Sequence, residues 1–172
     1  MKNIFLSFLM LSSCQNSKII SNEEVMTAFN NFFEILDRDL DDFDNLITDD
    51  FFIFENSRSY SAEEFIEFVK TFDIVSSQRH FEDIAIDTDY NSAHLSLKHF
   101  GEFIVNTPEG KVKLEFEWLE SCYLVKKVEK LKFKFYFSEA IETNVTDLES
   151  NWAQKVFWHW HQLLSNAKLN NI

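Results

Sequence analysis

His99 is the residue of this chain best placed to do chemistry. In the run SAHLSLKHF, residues 92–100, Leu95, Leu97 and His99 share one face of an alternating strand. The imidazole is therefore expected to point inward among apolar side chains. A lone inward His titrates near neutral pH and can act as a general acid or base. Glu55 and Tyr60 fall at the end of an earlier strand, near the expected pocket mouth. His80 and Glu82 are expected on the face of Ile84 in the strand beside His99. A carboxyl in an aromatic pocket has its pKa raised, which is the setting that acid–base catalysis uses. The alternative is that each of these groups is hydrogen-bonded at a strand edge or exposed at the rim.

Other clusters carry less. Asp37, Asp39 and Asp41 begin like a calcium loop, but the sixth and twelfth positions are Asp42 and Thr48 instead of Gly and Glu. This reads as a solvated helix end. In His159-Trp160-His161 the two imidazoles stand two residues apart on a helical stretch and face different ways, so no metal is expected there. Lys126, Lys127, Lys130, Lys132 and Lys134 form a basic cluster. Lys132 and Lys134 are expected on an outer sheet face, paired with Glu115 and Glu117. No cofactor is expected. Cys122 lies in a strand-like run and is expected to be a buried, inert thiol.

The elements that would position His99 follow from periodicity. Ser21 with Glu24 forms a capping-box pattern. The apolar stripe Val25, Phe29, Phe32, Phe33, Leu36, Leu40 and Phe43 then predicts a long helix that breaks near residues 41–44. A short strand over 51–55 and turn material at 56–59 come next. A second capping box, Ser61 with Glu64, opens a helix near 62–72. From His80 to Ser138 the pattern is period two. Val112, Leu114, Phe116 and Trp118 share one face; Phe133, Phe135 and Phe137 share another, with Lys132, Lys134 and Tyr136 opposite. That predicts an antiparallel sheet covered on one side. From Trp152, a helical stripe carries Val156, Trp160 and Leu163.

The first fourteen residues are MKNIFLSFLMLSSC. One Lys, a short apolar core and small residues before a Cys mark a secretory signal, and the apolar run is too short to span a bilayer. Leu11-Ser12-Ser13-Cys14 resembles a bacterial lipobox. That resemblance implies cleavage before Cys14 and lipid on its thiol. The protein is then expected in the cell envelope, on the periplasmic side of a bacterial membrane, the outer membrane being expected. With Cys14 lipidated, Cys122 has no partner for a disulfide. The net charge of −13 argues against nucleic acid and against a polybasic grip on lipid. Hydrophobic residues at 45% argue against disorder, and two Gly with one Pro argue for long regular elements. The organisation expected is signal and lipobox over 1–14, a tether over 15–22, one α+β domain over 23–142 and an amphipathic helical extension over 143–172.

The order of elements resembles the NTF2-like superfamily, with its SnoaL-like and ketosteroid-isomerase-like groups. The residues that carry it are the helix over 25–43, the ITDDFF step over 47–52, the helix over 61–72 and the closing strand KLKFKFYFS over 130–138. The resemblance implies a curved antiparallel sheet wrapped around the N-terminal helices, making a cone with a pocket at its open end. The lining expected is Phe54, Leu97, His99, Phe116, Trp118 and Phe135. Enzyme-like members often place a polar group inward on the last strand, where the pattern here puts Phe133, Phe135 and Phe137. The resemblance alone does not choose a function; an expected interior dominated by Phe, Trp, Leu and Ile, with few polar groups, points to a binding domain for a small apolar ligand or a protein partner, without catalysis. A ketosteroid-isomerase-like or dehydratase-like enzyme using His99, assisted by Glu55 or Tyr60, is the alternative. A third reading is a structural protein whose pocket its own side chains fill, the C-terminal helix among them. Relatives often pair through the outer sheet face; Lys113, Glu115, Glu117, Lys132 and Lys134 argue against a dry interface there.

Overall fold

The computed structural model describes residues 19–148 apart from Asp39 and Glu129. The lipobox, Cys14, the HWH triplet and the stripe from Trp152 lie outside the described residues.

Helix α1 spans Asn22–Arg38. Its capping box is formed: the Glu24 amide donates to Ser21 Oγ at 3.2 Å, and the Ser21 amide donates to Glu24 Oε2 at 2.7 Å. Val25, Phe29, Phe32 and Phe33 make its buried stripe. The helix ends before the acidic run, and Leu40–Asn45 continue as a 3-10 helix that drops Phe43 into the core. Strand β1, Ile47–Glu55, is longer than its aromatic run suggests. Asn56 and Ser57 turn the chain with φ of 50° and 65° into β2, Arg58–Ser61. Ser61 caps α2, Ala62–Val69, with the second box also formed.

Four long strands follow: β3 Asp73–Thr88, β4 Ser92–Thr107, β5 Gly110–Lys127 and β6 Lys130–Asp147. The sheet order is β2-β1-β6-β5-β4-β3. All ladders are antiparallel except β1 on β6, which is parallel. The sheet curls around α1. Phe29 and Phe32 stack on Tyr136, and Phe32 meets Phe133 and Phe43.

β6 departs from the alternation expected of it. Leu124 pairs with Phe133, but Tyr123 pairs with Phe135, so Lys134 is an extra residue. Such a bulge flips every later side chain to the other face. Phe133 faces the core; beyond the bulge Tyr136 and Ser138 face inward and Phe135 faces outward. A second bulge, at Ile141, restores the phase for Thr143 and Val145. β6 also runs to Asp147, so residues 143–147 are strand rather than the start of a helix. β3 carries a bulge between Glu82 and Ala85, with Asp83 at φ 51°. Phe81 and Ile86 consequently pack on the core, while Ile84 is 44% exposed.

Candidate functional site

The centre of the cone holds a buried polar chain. His99 on β4 is 1% exposed, as the alternation requires. Its Nδ1 lies 3.0 Å from Oε1 of Glu120 on β5. Tyr136 Oη on β6 donates to Glu120 Oε2 at 2.8 Å. Ser138 Oγ is 3.5 Å from Glu120 Oε1, at the limit of a bond, and also bonds Glu55 at the end of β1. Asn56 Nδ2 donates to Glu55 Oε1 at 2.8 Å. Side chains from four neighbouring strands thus form one line, from His99 to the β1–β2 turn.

Register explains the convergence. His99 stands opposite Trp118, and Leu97 opposite Glu120. His99 and Glu120 are therefore diagonal neighbours on the inner face, within reach of long side chains. Glu120 is opposite Ser138, and Ser138 opposite Glu55.

The electrostatics are those of a dry interior. Burial raises Glu55 to about 8, with Glu120 and Glu139 adding to the rise and the bond from Ser138 opposing it. Burial also pushes the Tyr136 hydroxyl well above its ordinary range, with Glu120 reinforcing the shift. The Cys122 thiol is raised by burial first and then by Glu120, which makes it an unreactive core group.

One atom of this chain is unmatched. Among the described residues, His99 Nε2 is buried and has no hydrogen-bond partner. Three rings surround the imidazole: Phe81 and Trp118 at centroid distances of 4.8 Å and Phe33 at 5.0 Å. Where Glu120 is ionised it can only accept, and the proton of the contact is then the one on Nδ1. In a neutral imidazole Nε2 then carries a lone pair with no donor within hydrogen-bond distance among the described residues. Histidine oriented by a carboxylate with a free second nitrogen is the arrangement of a general base.

The expected lining residues divide. Leu97 and His99 lie inside, with Leu97 4% exposed. Phe116 and Trp118 also face inward, stacked at 4.6 Å. Phe54 and Phe135 do not line the interior. Phe54 is 41% exposed, and both rings pack with Phe52 on the outer face. The reasons are the phase of β1, which buries Phe51 and Ile53, and the bulge in β6. Tyr60 is buried but stacks on Phe68, with Arg58 over its ring. His80 and Glu82 pair with each other at 3.0 Å on the outer side, both more than half exposed. Glu120 and Tyr136 are absent from the sequence-based set. The count Val112, Leu114, Phe116, Trp118 reaches Glu120 if carried one step further; nothing in the sequence marks the bulge that brings Tyr136 in.

The lysines are accounted for differently than expected. Lys134 pairs with Asp50 at 2.7 Å, and Lys132 donates to the Ile47 carbonyl at 3.0 Å. Asp37 pairs with Arg79 and accepts from Ser77 Oγ at 2.7 Å. A hollow of about 300 Å³ lies away from His99, on the side of Asp50, Tyr123, Lys127 and Lys134.

No protein-family model matches this chain, and no curated protein does. Solved structures match it along most of their length. One is an NTF2-like protein from Cytophaga hutchinsonii ATCC 33406, at a TM-score of 0.56 and 13% identity, covering 71% of this chain and 100% of that one. A type 2 hexachlorocyclohexane dehydrochlorinase matches at 0.61 and 7% identity, covering 73% and 88%. The S. rosetta CaMKII hub matches at 0.54 and 12% identity, covering 69% and 95%. The fold is the NTF2-like cone. At these identities the likeness speaks for the fold alone, and its carriers include an enzyme and a hub domain.

Proposed function

We propose that this chain is a lipid-anchored protein of the bacterial cell envelope whose cone binds a small, mostly apolar ligand through one polar group. The lipobox Cys14 supports the address. The unpartnered, buried His99 Nε2 carries the binding reading. Leaving a buried polar atom unpaired costs about 1–3 kcal/mol. Here the cost falls on an atom that a ligand could satisfy, on an imidazole packed among Phe33, Phe81 and Trp118, with Phe116 stacked on Trp118. Apolar walls with a few convergent polar groups are the ordinary make-up of such sites. Phe81 and Trp118 are only partly buried, so the wall opens most readily on their side.

Paired probes test this. 2-Naphthol can donate a hydrogen bond to Nε2, and naphthalene cannot. Fluorescence titration should show the wild-type chain holding 2-naphthol several-fold more tightly, with the preference lost in His99→Phe. No binding of either probe, or a preference that survives His99→Phe, would sink the reading.

A second reading rests on a separate observation, the Nδ1–Glu120–Tyr136 chain. It supports an acid–base enzyme in which Nε2 removes a proton from the bound molecule and Glu120 stabilises the resulting imidazolium. Isomerase or dehydratase turnover abolished by His99→Gln, with ligand binding retained, would select it over binding alone.

A further inference from the structure

One end of the molecule gathers exposed apolar side chains and lysines. The β3–β4 turn and the β5–β6 turn lie side by side there: Ser92 pairs with Val125, and the Lys126 amide donates to the Asn91 carbonyl at 2.8 Å. The described chain also begins at this end, where the Ile20 amide donates to the Asp89 carbonyl at 3.1 Å. Three apolar side chains stand out of the surface: Val128 is 94% exposed, Tyr90 54% and Ile19 51%. Val128 holds φ 57° in the tight turn between Lys127 and Lys130, a backbone region that β-branched residues rarely enter. So exposed a valine adds nothing to the core.

The β5–β6 hairpin reverses the sign of the chain's charge. Residues 126–134 carry five lysines against one glutamate, in a chain of net charge −13. Lys134 is paired with Asp50, and Lys132 donates to the Ile47 carbonyl. Lys126, Lys127 and Lys130 have no carboxylate partner among the described residues. In the neighbouring turn, Asp89 accepts from the Tyr90 amide at 2.7 Å. The overall charge argues against a lipid grip by the whole molecule, but screening confines a surface's reach to about 8–10 Å. Charges at the far end of β4, about 50 Å away at 3.3 Å per residue, do not oppose a contact made here. The lipobox reading puts a bilayer within reach. Five residue steps separate Cys14 from Ile19, so Ile19 lies within about 18 Å of the lipidated residue, whatever path the chain takes. The end that holds Ile19 is then the end held at the membrane.

We propose that this end of the cone is a membrane-docking surface. Val128 and Tyr90 enter the headgroup layer, and Lys126, Lys127 and Lys130 meet the phosphates of anionic lipid. The occupant is the bilayer itself, not a protein partner. The inference rests on the Cys14 reading, which supplies the bilayer, and it does not depend on what His99 binds. Apolar tips flanked by lysines are the make-up of surfaces that lie on a bilayer rather than span it.

The test uses the full-length chain, expressed in a lipoprotein-processing bacterium, extracted from its membranes and reconstituted in vesicles of phosphatidylcholine with phosphatidylglycerol. A fluorescent NBD label is placed on Val128→Cys, or on Glu109→Cys at the opposite end as the control. Cys122 is buried and does not take the label. Headgroup-level spin-labelled lipid should quench the label at 128 at least about twofold and leave the label at 109 within about a tenth, because a docked side chain sits inside the interface. Lys127→Glu with Lys130→Glu should return most of the lost emission, as should vesicles of phosphatidylcholine alone, since each lysine at an anionic surface is worth about fivefold in binding. Protein in the membrane fraction with an unquenched label at 128 would overturn the docking surface and leave the anchor standing. Equal quenching at 128 and 109 would overturn the assigned end. Quenching at 128 that ignores both the lysines and the lipid charge would overturn the role of anionic lipid. Protein in the soluble fraction would instead remove the anchor, and this inference with it.

Discussion

His99 Nδ1 and Glu120 Oε1 meet at 3.0 Å across the β4–β5 ladder, a contact that joins residues twenty-one positions apart in the sequence. Glu120 also accepts from Tyr136, so this one carboxylate satisfies two buried donors. Removing it strands both. Glu120→Ala should therefore cost about 2–4 kcal/mol. Adding His99→Leu should cost less than the sum of the two single changes, with a coupling of at least about 1 kcal/mol. Urea denaturation of the four chains measures this; strict additivity would show that the contact carries no energy.

Phe133 and Phe135 should behave oppositely to what simple alternation gives, because the Lys134 bulge separates them. Phe133 is 1% exposed against Phe32, so Phe133→Ala should cost about 3–5 kcal/mol. Phe135 is only half-buried and packs with the half-exposed Phe52 and Phe54 on the outer face, so Phe135→Ala should cost about 1 kcal/mol. Denaturation midpoints rank the two. A reversed order would mean that the bulge is misplaced.

Glu55 sets a pH dependence with a definite sign. Its carboxyl titrates near 4.5 when free and about 8 in the folded chain. Between those values the folded chain keeps a proton that the unfolded chain has released, so its contribution to stability falls as pH rises from about 5 to about 8. Glu55→Gln removes the titration. The variant should gain on wild type by on the order of 2–4 kcal/mol between pH 5 and pH 9. Parallel stability curves for the two chains would refute the raised titration.

The anchor has a direct test. Only a thiol accepts the lipid, so Cys14→Ser should move the protein from the membrane to the soluble fraction of a bacterium that processes lipoproteins. Fractionation followed by immunoblotting measures the shift. Wild type already in the soluble fraction would end the lipobox reading.

Much of this protein is legible in its residues. Both capping boxes form where Ser21/Glu24 and Ser61/Glu64 place them, because a cap needs only groups three residues apart. The inward phase of β4 and β5, and with it the burial of His99, follows from period two over uninterrupted strands. Three decisions belong to the tertiary structure. Bulges at Asp83 and Lys134 change which residues face inward, and a bulge is a relation between two strands that one strand's sequence does not display. They turn His80 and Glu82 outward, send Phe135 to the outer face and bring Tyr136 and Ser138 inside. The parallel pairing of β1 on β6 sets Glu55 opposite Ser138, although the two are far apart in the chain. The partner of His99 is fixed the same way: alternation points the imidazole inward, but only the β4–β5 register sets Glu120 diagonally beside it, and only the packing of α1 and β3 on the sheet brings Phe33 and Phe81 against its ring.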